Sequence, residues 1–73
     1  MKLGDIVLYH LREGDGYNNG QTTAPAIVVN AWEDVPGRPF VNVQVFMESS
    51  TVPMLWKTSC HIGTEPGSVS VKE

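Results

Sequence analysis

The chain has a single cysteine, Cys60, so no disulfide can form within it. It has only five Lys and Arg against eight Asp and Glu, a net charge of −3. The five cations, Lys2, Arg12, Arg38, Lys57 and Lys72, are scattered along the chain. Nucleic-acid binders cluster positive charge on one face, so duplex binding is not expected. No apolar run approaches the length of a membrane span, and no membrane association is expected. Met1-Lys2-Leu3-Gly4-Asp5 lacks the charged and apolar regions of a secretion signal. A lone cysteine fits a reducing compartment, and the expected location is the cytoplasm. Helical periodicity is missing throughout. Motifs for phosphate cradles are missing too, because Gly14-Asp15-Gly16 has no strand-to-helix context and reads as a turn.

Metal ligands are equally sparse. His10, Cys60 and His61 are the soft ligands, and structural zinc needs four, usually in short-spaced pairs. Cys60 and His61 are adjacent, so an extended chain points them to opposite faces. No metal site and no cofactor are expected. The same adjacency suits proton transfer between thiol and imidazole poorly. The acids Asp5, Glu33, Asp34, Glu48 and Glu65 fall mostly in turns, where water accounts for them. The chain reads as non-enzymatic.

What is present is β-strand pattern. At 73 residues the chain is expected to be one small domain, 1–73. A domain this short buries only about 60% of its unfolded surface. With neither disulfide nor metal, self-association is the simplest source of further burial, and a homo-oligomer is expected. Strands are predicted at 6–11, 26–32, 40–46 and 54–59, with a short fifth at 68–72. Residues 12–23, rich in Gly, Asn, Asp and Thr, read as a long mobile loop with Tyr17 as its only aromatic. Residues 33–39 carry a Pro36-Gly37 pair suited to a type II turn that displays Arg38.

The second and third strands differ in chemistry between their faces. A symmetric hairpin pairs Ile27 with Val45, Val29 with Val43 and Ala31 with Val41, an aliphatic face expected in the core. The opposite face pairs Trp32 with Phe40, Asn30 with Asn42, Val28 with Gln44 and Ala26 with Phe46. Buried amides need partners, at ~1–3 kcal/mol for each group left unpaired. A wet face has little use for two large aromatics. A subunit interface, a ligand pocket or internal packing each reconcile the two. Rings stack on bases, amides read their edges and arginines pair with phosphate. The candidate ligand-binding residues are therefore Trp32, Asn30, Asn42, Gln44, Phe40, Arg38 and Arg12, and the candidate ligand is a small nucleotide.

The order of elements, a Gly-Asp opening, an apolar strand, a long loop and a Pro-Ala-Ile-Val-Val strand, resembles small SH3-like barrels. The expected fold is an all-β, SH3-like barrel of four to five antiparallel strands with a long mobile first loop, and the second choice is an open antiparallel sheet that closes its edges by oligomerising. A second resemblance rests on Gly-Asp-Ile-Val-Leu-Tyr at 4–9, Pro-Ala-Ile-Val-Val at 25–29 and Val-Asn-Val-Gln-Val-Phe at 41–46. Trp-Lys-Thr-Ser at 56–59 and Gly-Thr-Glu-Pro-Gly at 63–67 extend it. These segments are similar to a family of small tailed-bacteriophage and prophage proteins. The chain departs from that pattern after the Glu-Pro-Gly, where Ser68-Val69-Ser70 replaces a Thr-Trp element. The resemblance implies a phage gene product in the cytoplasm of an infected bacterium. Two functions follow as expectations. One is a homo-oligomer that sequesters a nucleotide signal of host antiviral immunity. The other is a virion-accessory or host-protein-binding adaptor.

Overall fold

A computed structural model describes residues 1–16, 18–32 and 40–71. The expected 33–39 turn, with Arg38, and the readings of Tyr17 and Lys72 fall outside these residues. The described chain forms five strands: β1 (Ile6–His10), β2 (Thr23–Ala31), β3 (Phe40–Phe46), β4 (Met54–His61) and β5 (Val69–Val71). All ladders are antiparallel, in the order β4-β3-β2-β1-β5. The expected strand count and all-β class match this architecture.

The expected barrel does not form. The sheet has two ends, β4 and β5, joined among the described residues only by one parallel bridge between Ile62 and Val69. The chain leaves β4 and returns on β5 in the same direction within residues 63–68. A parallel ladder needs a crossover of a dozen or more residues, so this connection cannot build one. β5 is instead fastened to β1. Gly67 N–H donates to His10 O at 2.8 Å, and His10 N–H donates to Ser68 O at 2.9 Å.

The Ile62–Val69 bridge brings the two edges together, so the open sheet curls, and its concave side is the core. Val7, Tyr9, Ala24, Ala26, Val28, Val41, Val43, Val45, Met47, Cys60 and Val69 are buried there. The curl explains a departure from the expected hairpin register. Asn30 faces Asn42 and Ala31 faces Val41 as expected, but a bulge between Val28 and Asn30 slips the rest by one residue. Val28 then faces Val43, Ala26 faces Val45, and Ile27 faces Gln44 on the outward side. The inside of a curled sheet is crowded, and the slip places the small Ala24 and Ala26 there while Ile27 goes out. Period-two alternation makes such a slip exchange faces wholesale.

Pro25 lies within the inner strand β2, where a missing N–H would break a rung. Val28 bonds toward the β1 side, donating to Asp5 O and accepting from Gly4 N–H, so Ala24 and Ala26 share that side. Pro25 points toward β3, beside the last residue of that strand. The rung it lacks is thus a terminal one.

The loop at 12–23 is not a free excursion. Asp15 and Asn18 are both buried. Asn18 donates through Nδ2 to Thr23 O at 2.9 Å and accepts the Glu48 N–H at 2.7 Å. The loop is therefore tied to the 47–53 turn, which Met47 N–H closes by donating to Pro53 O.

Candidate functional site

The outward face of β2 and β3 gathers most of the predicted site. Trp32 and Phe40 meet edge to face, centroids 5.7 Å apart at 61°. Phe40 meets His61 the same way at 6.2 Å and 65°, since the two are register partners across β3 and β4. Beside this run Asn30 and Asn42 face each other. Gln44 follows on the same face, half-buried between Ile27 and Trp56. Trp32, Phe40, Asn30, Asn42 and Gln44 thus form a continuous strip.

Arg12 does not join them. It follows the end of β1 where His10 pairs with Thr23, whereas Asn30 lies seven residues further along β2. At ~3.3 Å per residue the separation is on the order of 20 Å. Arg38 lies outside the described residues. His61, which sequence reasoning passed over as a site residue, takes a place in the aromatic run. The signal was its outward parity opposite Phe40, hidden by a second bulge.

That bulge falls between Val41 and Val43 of β3 against β4. Ser59 adopts φ 54° there, and its N–H donates to Asn42 Oδ1 at 2.9 Å. Asn42 therefore satisfies a backbone group that the irregular ladder leaves over. Asn30 Oδ1 likewise accepts the Ala31 N–H at 3.0 Å. Both acceptors face local backbone donors, so toward a ligand these side chains present their NH2 groups, as donors.

A second cluster sits on the concave side. The Asp15 side chain is 3% exposed, and three donors converge on it. Tyr9 O–H donates to Oδ2 at 2.7 Å, Arg12 N–H donates to Oδ2 at 2.9 Å, and Lys57 Nζ donates to Oδ1 at 2.5 Å. The ammonium also lies 5.9 Å from the Tyr9 ring centroid. Burial alone would raise the Asp15 pKa; the bonds from Lys57, Arg12 and Tyr9 outweigh it and hold the carboxyl below its ordinary value. Tyr9 is pushed far up by burial and by its bond to that carboxylate. Burial also raises the Cys60 thiol, against the pull of Lys57 and Arg12. A raised thiol stays protonated at neutral pH and is a poor nucleophile.

Sequence reasoning missed this cluster. Its signal was Lys57, which shares the inward parity of Leu55 on β4. A cation aimed into a core requires a carboxylate, and Gly14-Asp15-Gly16 supplies it. Every buried side-chain nitrogen and oxygen among the described residues has a hydrogen-bond partner. The cluster is a self-satisfied structural lock that joins the first loop, β1 and β4.

Among the described residues no three His, Cys, Asp or Glu side chains gather to hold a metal ion. Cys60 is buried and His61 exposed, on opposite sides of β4 as their adjacency requires. Comparison with protein-family models, with curated proteins and with solved structures finds no match.

Proposed function

We propose that this is a non-enzymatic binding protein that holds a small planar ligand, a nucleotide, at the aromatic and amide end of its outward sheet face. The observation that carries the reading is the Trp32–Phe40–His61 run lying directly beside the Asn30–Asn42 pair. Rings in this arrangement stack against a base, and amide NH2 groups donate to its ring nitrogens and carbonyls. Together with the resemblance to small phage proteins, this favours sequestration of a signalling nucleotide of host immunity, in the cytoplasm of the infected cell. The phosphate partner is then His61, at the edge of the strip, or Arg38.

The adaptor reading drew on a mobile 12–23 loop as the gripping element. That reading also used Trp32, which serves either function; with Asp15 and Asn18 buried the loop is less suited to grip a host or virion protein, and this favours the sequestering reading.

Native mass spectrometry tests the proposal on protein purified from bacteria that actively make signalling nucleotides. The expected spectrum carries a mass excess matching a nucleotide, lost in Trp32→Ala while the fold survives. Retention of the same ligand by Trp32→Ala would refute the assignment, as would a ligand-free spectrum from every such host.

A further inference from the structure

The other end of the outward face has a different character. Phe46 and Met54 are register partners on neighbouring strands, and so are Gln44 and Trp56. Trp56 is 65% exposed, Met54 50% and Phe46 38%. Pro25 and Ile27 continue the patch onto β2. One-sided antiparallel sheets ordinarily turn polar residues to water on such a face. Here a Trp, a Met and a Phe stand together with one Gln, and none of the six side chains is charged.

We propose that this patch of β3 and β4 is the contact of a homodimer, formed face to face about a two-fold axis. Three observations select a second copy as the occupant. The first is charge. A two-fold contact sets the same patch against itself, so any charge there would meet its like. The chain carries −3 overall, yet this patch carries none, and self-pairing costs it no repulsion. The second is area. The exposed parts of Trp56, Met54, Phe46 and their neighbours amount to roughly 500 Å² per copy, or about 1,000 Å² when paired, the threshold for a specific interface.

The third is that the competing route, pairing along the β4 edge, is obstructed. The Ser59 bulge twists that edge, and Lys57 points inward from it. Both are devices by which edge strands avoid recruiting another strand. The other edge, β5, is only three residues long, too short to recruit a strand, and what remains is the face. Two sheets then stack about 10 Å apart with Trp56 central to the contact.

The dimer contact shares Gln44 with the end of the strip but lies away from Trp32, and it does not depend on ligand binding. Sedimentation velocity of the full chain from 1 to 200 µM tests it, with circular dichroism as the check on folding. The wild type is expected to approach twice 8.0 kDa as concentration rises. Trp56→Glu is expected to weaken the dimer by about 30-fold or more, as loss of a central aromatic anchor does. Met54→Lys is expected to act in the same direction, and it decides the matter if Trp56→Glu fails to fold. Trp32→Ala is expected to dimerise normally, which separates this proposal from the ligand reading. A wild type that stays at 8.0 kDa throughout would overturn the inference, and so would a dimer that both patch variants leave unchanged.

Discussion

Replacing Asp15 by Asn should break the ion pair that ties the first loop to β4. The carboxylate accepts from Tyr9, from the Arg12 backbone and from Lys57, and its side chain is 3% exposed. Lys57 keeps 21% exposure, so water softens the loss of its partner. Breaking a fully buried ion pair from one side costs roughly 3–5 kcal/mol. Partial access for Lys57, and the carbonyl oxygen that Asn retains for Tyr9 or Arg12, bring the expectation to about 2–3 kcal/mol. That is a large share of the few kcal/mol a domain this small can hold. The loss also depends on pH, and its sign follows from the depressed Asp15 pKa. A carboxyl held below its unfolded pKa, ordinarily ~3.9, adds stability above that value and loses it as pH falls through the folded pKa. The gap between wild type and Asp15→Asn should therefore be full at pH 7 and should shrink below pH ~4. Urea unfolding followed by circular dichroism at pH 7 and pH 3 measures both. A gap under 0.5 kcal/mol at pH 7, or one equal at both pH values, would refute the reasoning.

Other outcomes follow from the same geometry. Ser59→Gly should stabilise the protein by about 0.5–1 kcal/mol in the same unfolding assay, because Ser59 holds a left-handed φ of 54° that glycine adopts freely. Asn42→Ala should cost about 0.5–1 kcal/mol by removing the acceptor of the Ser59 N–H, the low end of the usual range because water reaches this exposed site. Gly67→Ala should destabilise by about 1 kcal/mol, since its φ is +89°, a conformation that a Cβ strains. Cys60, buried and with its pKa raised, should react with iodoacetamide at pH 8 at least about 100-fold more slowly in folded than in urea-unfolded protein, and equal rates would contradict its placement.

Strand identity was legible because alternation holds through all of Phe40 to Phe46 and through most of β1, β2 and β4. Register was legible only locally. The Asn30–Asn42 and Ala31–Val41 pairs follow from a symmetric hairpin, but nothing in Val28-Val29 marks the bulge that turns Ile27 outward. The residues are all β-branched, and either one fits either face. Sheet curvature decided the choice, and curvature is a property of the whole sheet. Closure was misjudged for a related reason. The 63–68 connection was readable as a turn, but its return in a parallel direction was not. The Asp15 lock was missed because Gly-Asp-Gly reads as solvated turn. Only pairing it with the inward parity of Lys57, 42 residues away, reveals the need for a buried carboxylate. The aromatic strip was readable in composition and parity. The amide oxygens of Asn30 and Asn42, however, serve the backbone, a detail set by the two bulges.

The two tryptophans divide the outward face between them, Trp32 at the aromatic and amide end and Trp56 on the β3–β4 patch. Their indole N–H signals in a 1H–15N correlation spectrum report each end separately. The most direct test is to titrate the labelled protein, at fixed concentration, with cyclic mono- and dinucleotides. If the outward face binds a nucleotide as proposed, one of them shifts the Trp32 indole saturably and leaves Trp56 nearly still. A spectrum in which Trp32 stays fixed through millimolar concentrations of every nucleotide would contradict that proposal.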